Sequence, residues 1–259
     1  MNADLRIISI GTLAAHPLWG ERAPVRTGHA TCTLLRAGDV VMLIDPGLPD
    51  RAMVQRLAER ANLAPEAVTH VFLTSFHPDT HRGIAPFERA TWLVSKPERE
   101  GVGVPLVTAL RHAMEQGNAE LHDAVRSEVA ILERCEEAPE SLAEDVDVFP
   151  LPGVSPGMTG LLIGGRESTT LICGDALPTV EHLASGRIVP WASDLEAAKA
   201  SFAEAIEIAD FLVLGRDNIV PSPGGQHGGV EQFDPGEVEP DELEEPDEPD
   251  AGHADDDDE

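Results

Sequence analysis

The sequence predicts one α/β domain over residues 1–220, followed by an acidic segment over residues 221–259. Three observations carry this reading. Short β-like apolar runs alternate with stretches of helical spacing, in the order β-rich, α, β-rich, α. A breaker cluster, Pro221-Ser222-Pro223-Gly224-Gly225, marks an abrupt change in composition. With 42% hydrophobic residues in 259, the chain can bury a sizeable core. Two sheets flanked by helices satisfy the order of elements, and so does a doubly wound sheet.

Leu5–Leu13 reads as a strand. Ala30–Arg36 and Val40–Asp45 read as a hairpin around Ala37-Gly38-Asp39. Asp50–Leu63 has helical spacing at Met53, Leu57 and Leu63. His70–Thr74 and Thr91–Ser95 are short apolar strands. Val104–Glu137 fits one or two amphipathic helices broken at Gly117, with apolar residues at Leu106, Leu110, Ala113, Met114, Leu121, Val125, Val129 and Leu132. Asp145–Leu151, Thr159–Gly164 and Thr169–Cys173 are strands. Asp194–Ile208 is helical with Asp194 as its N-cap, and Phe211–Leu214 is a last strand.

Composition excludes several functions. Net charge is -29, and 16 of the acidic residues lie between Glu231 and Glu259, where there is no Lys or Arg. The rest of the chain still carries -13, so a nucleic-acid backbone is not an expected partner. No apolar run is long enough to span a bilayer. The start of the sequence lacks the basic, apolar and small-residue pattern of a signal peptide, so a cytoplasmic location and no membrane contact are expected. Cys32, Cys135 and Cys173 are odd in number and far apart, which argues against a disulfide framework or a cysteine zinc site. Cys32 and Cys173 sit in apolar runs, as core residues do. The segment after Pro221 has too few large apolar residues to offset its ordering entropy and is expected to be disordered. Its charge would suit a basic partner.

The informative stretch is Thr74-Ser75-Phe76-His77-Pro78-Asp79-Thr80-His81-Arg82-Gly83, which follows the strand ending Val71-Phe72-Leu73. Alone, a His and an Asp two residues apart can cap a turn as readily as bind an ion. Around it lie Ile44-Asp45-Pro46-Gly47, Pro152-Gly153-Val154-Ser155-Pro156-Gly157, Gly174-Asp175 and Gly215-Arg216. In that order and at those spacings the set resembles the metallo-β-lactamase superfamily, nearest its lactonase-like and related hydrolase branches. The resemblance spans nearly the whole domain. It implies an αββα sandwich, and in active members a two-metal site of five histidines and two aspartates that activates a bridging water.

Carried over residue by residue, the resemblance keeps three ligand positions and loses four. His77, Asp79 and Asp175 are retained. Ser75, Thr80, Val154 and Arg216 stand where the family has histidines. The expectation is a protein without the dinuclear site and without hydrolase activity, a pseudo-enzyme or binding protein. Its cleft would hold a small molecule or a protein, and no cofactor is expected. The alternative is an ester or lactone hydrolase with a reduced site holding one zinc or other divalent ion, in which His77 or Asp79 acts as base. A third reading makes the acidic tail an interaction arm on an inert scaffold. His81 could join a shifted site by a change of register. Two carboxylates without a metal repel each other, and a guanidinium suits carboxylates, so Arg216 is expected to pair with Asp175, Asp79 or both. The other reading of Arg216 is a surface residue after a strand. His29, His70, His112, His122 and His182 read as surface or hydrogen-bonded core residues. Asp45 reads as structural. Trp19 and Trp191 could flank the cleft or simply pack. The Val104–Glu137 segment could be a lid, a dimer surface or part of the domain's own packing.

Overall fold

The computed structural model describes residues 3–225 together with the pair 239–240. Strands β1 (Asp4–Ser9), β2 (Cys32–Ala37) and β3 (Val40–Ile44) open the chain, and helix α1 (Asp50–Ala61) follows. Then come β4 (His70–Leu73), the single turn α2 (Pro78–His81), β5 (Thr91–Val94), and helices α3 (Lys96–Glu115) and α4 (Ala119–Arg134). Strands β6 (Glu136–Glu137), β7 (Ser141–Ala143), β8 (Val146–Pro150), β9 (Thr159–Gly164) and β10 (Thr169–Ile172) lead to α5 (Val180–Ser185) and β11 (Arg187–Ile188). Helix α6 (Leu195–Ile208), β12 (Phe211–Val213) and β13 (Ile219–Pro221) complete the domain, and β14 (Glu239–Pro240) pairs with β11.

Two six-stranded sheets form, ordered β1-β2-β3-β4-β5-β6 and β13-β12-β10-β9-β8-β7. Their stacking follows from sequence neighbours that point opposite ways. Leu35, Met42, Ile44, Phe72 and Leu93 meet Val146, Leu161, Ile163, Ile172 and Val213 between the sheets. Their neighbours Leu34, Leu43, Val71, Trp92 and Val94 face outward onto Met53 and Leu57 of α1 and Leu132 of α4. On the far side, Leu171, Cys173, Leu212 and Leu214 pack on Leu183 of α5 and Ala198, Phe202, Ala205 and Ile206 of α6. Three apolar layers separate four structural layers, which is an αββα sandwich. Strands β3 and β12 are apolar throughout, because they pack on both faces.

Local chemistry sets the boundaries. Gly38 at φ 59 makes the two-residue turn between β2 and β3. Helix α1 stops before Leu63 because Asn62 turns left-handed at φ 52 and its N–H bonds to Ala58 O. Helix α3 begins eight residues before Val104. Ser95 caps it by accepting from the Glu98 N–H, and Pro97 occupies its first turn. Gly117, at φ 64, breaks α3 from α4 where expected. Asp194 caps α6 by accepting from the Ala197 N–H at 3.0 Å. Strand β1 ends at Ser9, before the expected Leu13; beyond it an isolated bridge joins Thr12 to His29. Strands β6, β7 and β13 carry no alternation that the sequence could reveal, and they lie at sheet edges.

Packing continues past Pro221. Ser222 is fully buried, and its hydroxyl donates to Ile206 O at 2.7 Å. The disorder expected for the acidic segment from residue 226 onward lies outside the described residues, apart from the pair 239–240. Cys32, Cys135 and Cys173 are all buried and free. No described helix is long and apolar enough to cross a membrane.

Candidate functional site

The C-terminal ends of β3, β4, β8, β10 and β12 gather at one rim of the sandwich. Strands β3 and β4 are parallel, and β8 and β12 run in the same direction as β10. Five loops therefore converge, and they are the five that the sequence motifs single out.

Asp45 ends β3 with φ 49, a conformation rarely taken by a side chain other than glycine or Asn/Asp. Its buried carboxylate accepts the Thr74 N–H at 2.9 Å and the Thr74 hydroxyl at 2.7 Å, which ties the end of β3 to the end of β4. Burial raises its pKa to about 7 despite these bonds, and the charge of Asp175 adds to the rise. These bonds give it a tethering role between the two strand ends. Gly47, two residues on, has no room for a side chain, since a Cβ would sit 1.9 Å from Asp79 O.

Arg216 follows β12. Its Nε and Nη2 each donate at 2.7 Å to the two oxygens of Asp175, and Nη1 donates at 2.7 Å to Asp79 Oδ2. Asp79 Oδ1 accepts at 2.9 Å from Arg82, whose other nitrogen donates to Gly28 O at 3.0 Å. The result is a ladder of alternating charge: Arg82, Asp79, Arg216, Asp175. The Arg216 side chain is only 4% exposed. The guanidinium thus stands between the two acids, as anticipated, rather than in solvent. Burial alone would raise the Asp175 pKa, but the charge of Arg216 and its paired hydrogen bonds outweigh that and hold it below the usual carboxylate range. Burial would likewise weaken the Arg216 proton, and the two carboxylates hold it instead.

The remaining sequence candidates fall around this ladder. His77 is an exposed residue, and its Nδ1 accepts the Asp79 N–H at 3.2 Å. That bond consumes the lone pair of Nδ1 and assigns the neutral ring's proton to Nε2. Partial burial keeps the His77 pKa below the ordinary histidine value, against the pull of Asp79. Thr80 is buried, and its hydroxyl lies 2.8 Å from both Ser75 O and His77 O, closing the loop on itself. Ser75 and Val154 face the same cavity. His81 takes no part in the cluster. Its ring lies against Phe76, and Nε2 approaches Glu128 Oε2 of α4 at 3.1 Å.

This donor set does not fit a dinuclear metal centre. Val154 offers no lone pair, Thr80 spends its hydroxyl on backbone carbonyls, and a guanidinium occupies the position between the two acids. Among the described residues, no three His, Cys, Asp or Glu side chains form a set that could hold a metal ion.

The cavity at the rim measures about 360 Å³, within the usual range of ligand pockets. Leu13, Phe76, Val102, Val154 and Trp191 supply apolar walls, and His77, Glu98, Asp79, Asp175 and Arg216 supply the polar part. Trp191 lines the cavity and is 49% exposed overall. Val102 and Glu98 come from α3, which packs on the first sheet through Val102 and Leu106, so this segment is both domain packing and cavity wall.

Glu98 is the residue that the sequence analysis missed. It is fully buried. Its carboxylate accepts the Phe76 N–H at 2.8 Å, the Ser155 hydroxyl at 2.8 Å and the Gly157 N–H at 3.0 Å. It therefore braces the loop after β4 against the loop after β8. The signal was present as Ser95-Lys96-Pro97-Glu98, a helix-start pattern.

A second buried cluster lies beside Asp175. His182 is fully buried, as a hydrogen-bonded core histidine, with Nδ1 2.9 Å from the Thr179 hydroxyl. The same hydroxyl lies 3.2 Å from His16 Nε2, and His16 stacks on Trp19 with centroids 4.1 Å apart. Trp19 thus packs on a histidine and donates to Glu181 at 3.2 Å. Burial pushes the His182 pKa down from 6.5 to about 4, so the folded protein keeps it neutral. Between those values the unfolded chain binds more protons than the folded one, and stability should fall as pH drops from about 6.5 to about 4, by an order of 3 kcal/mol. Asp45 contributes the opposite slope over much of the same range. The test is therefore the difference between the native chain and His182→Gln in urea unfolding at pH 7 and 4.5. The variant should lose less on acidification, and an equal loss would clear His182 of the effect.

The model of the metallo-beta-lactamase superfamily matches residues 25–216. No curated protein matches the sequence. Among solved structures, a candidate metallo-beta-lactamase from Thermotoga maritima is similar with a TM-score of 0.60 at 20% identity, covering 85% of this chain and 100% of that one. AidC, a dizinc quorum-quenching lactonase with a product bound, gives 0.56 at 18% identity, covering 75% of this chain and 74% of its own. A variant of AiiA from B. thuringiensis with N-decanoyl-L-homoserine at its active site gives 0.56 at 18% identity, covering 80% and 89%. At these identities the likeness speaks for the fold.

Proposed function

Since this chain belongs to the metallo-beta-lactamase superfamily, we propose that an arginine has taken over the place of its metals and that the protein is a binding protein rather than a hydrolase. The observation that carries the reading is the bond pattern of Arg216, which donates to both Asp79 and Asp175 from a buried position. A guanidinium supplies positive charge to the two acids, so they need no cation to coexist. It does not supply an activated water. The retained histidine supports the same reading, since His77 spends its Nδ1 lone pair on a backbone N–H and presents an N–H from the other nitrogen. In that state it serves neither as a ligand nor as a general base.

The competing reading is an ester or lactone hydrolase with one ion held by His77, Asp79 and Asp175. It requires Arg216 to leave both acids. Elemental analysis of protein expressed with zinc, manganese and iron in supply separates the two. The binding-protein reading expects far less than one ion per chain and a melting temperature unchanged by chelator, since only a bound ion shifts stability by linkage. One or two ions per chain, lost in His77→Ala, would reverse the conclusion and justify a screen of esters and lactones.

A further inference from the structure

Resting on that reading of the cleft, we propose that the cavity is a receptor for small organic cations that carry an apolar body. The lining contains three carboxylates, Asp79, Glu98 and Asp175, against one arginine, Arg216. The ladder itself is balanced, because Arg82 and Arg216 answer Asp79 and Asp175. Glu98 stands outside it. Every donor to its carboxylate is neutral: two backbone N–H groups and a serine hydroxyl. A fully buried carboxylate with neutral partners projects its field into a low-dielectric cavity, where it acts over a longer range than in water. His77 adds no second cation to the lining, because its Nδ1 accepts the Asp79 N–H and so carries no proton of its own.

The walls point the same way. Phe76, Val102, Val154 and Trp191 form apolar walls, and Trp191, about half exposed overall, is one of the lining residues. An indole face attracts a cation, and more strongly when the cation is partly desolvated. The chain as a whole carries -29, which steers cations inward and repels anions. A site that holds a dinuclear metal centre favours electron-rich groups. Exchanging that centre for a single, already paired guanidinium reverses the sign of the charge it prefers.

The test is isothermal titration of the full-length chain in chelator at pH 7.5 with three probes of similar shape: benzylamine, benzyl alcohol and benzoate. Benzylamine should bind at one saturable site, about 10-fold tighter than benzyl alcohol, with benzoate weakest, and its affinity should fall with added salt. Glu98→Gln and Trp191→Leu should each weaken benzylamine severalfold, with little change for benzyl alcohol in Glu98→Gln. Counterion binding to the acidic tail would ignore Trp191→Leu, so the second variant localises the effect if the first folds poorly. Benzoate binding as tightly as benzylamine would overturn the proposal, and so would benzylamine binding unaffected by either variant. Metal analysis of the same sample keeps the two readings apart. A metal-bearing chain sinks the arginine reading, whereas a metal-free chain indifferent to benzylamine sinks only the cation receptor.

Discussion

Arg216→Ala should lower stability at pH 7 by about 3–5 kcal/mol, the usual cost of removing one partner from a buried ion pair. The cost comes from the acids left behind. In the native chain Asp175 has a depressed pKa, so its share of stability is present above the ordinary carboxylate value and is lost as pH falls through the folded one. Without the guanidinium, two acids share a poorly solvated pocket, and one should hold a proton well above its unfolded pKa. The variant should therefore lose stability as pH rises, and the gap between variant and native chain should be widest near neutrality and shrink below pH 5. Arg216→Lys should fall between them, because a lysine brings the charge without the fork. Urea unfolding of the three proteins at several pH values checks this. A further variant sharpens the result: Asp79→Asn, Asp175→Asn and Arg216→Met together should recover most of the loss, since removing both charge types spares the desolvation of either. A uniform loss at every pH, unrelieved in that triple variant, would mean that Arg216 acts by packing alone.

The second large effect is a gain. Restoring histidine at the four family positions, through Ser75→His, Thr80→His, Val154→His and Arg216→His, should create a zinc-binding protein. His77, Asp79 and Asp175 are already at the rim, and the loops that carry the other four are braced there. Zinc at about 100 times its dissociation constant would add about 2.7 kcal/mol to stability for each site, readable as a melting shift and as metal content. The informative control keeps Arg216 and changes only the other three positions. It should bind zinc far more weakly, because the guanidinium still occupies the space and the charge of both acids. If that control bound as well as the full set, Arg216 would not be filling the place of a metal. Thr80 is buried with its hydroxyl close to two carbonyls, so this substitution should carry a stability cost of its own.

Much of this architecture is written in local pattern. Leu34 and Leu35, or Leu212 and Val213, point to opposite layers because strands alternate, so the apolar runs announced sheets buried on both faces. The caps at Asp194 and the break at Gly117 were readable for equally local reasons. Other boundaries were not. Strand β6 is two exposed glutamates that pair in parallel with β5, and only its position beside an existing sheet edge makes it a strand. The start of α3 was missed because Lys96 and Pro97 interrupt the apolar period, although the capping residue lay in plain view. The site divided in the same way. Motif order located Asp79, Asp175 and Arg216 across a separation of 137 residues, and electrostatics predicted that they would meet. Glu98 escaped because its role depends on Phe76, Ser155 and Gly157 arriving together, a coincidence that no periodicity encodes. His77 lies at the rim to which motif order assigns it, but its proton could not be read from the sequence. The tautomer depends on one backbone N–H, that of Asp79, pointing at one ring nitrogen.

The ladder also bears on the conditions under which this cleft can keep its shape. A site organised by an imported ion depends on supply: it empties under starvation, accepts the wrong element in excess, and competes with every other sink in its surroundings. Here the charge between the acids is a residue of the chain, translated with the loop that presents it and held by peptide bonds to β12. Under the arginine reading proposed above, occupancy is fixed at one, and no loading step would stand between folding and a finished cleft. The arrangement should be indifferent to metal scarcity and to metal poisoning alike.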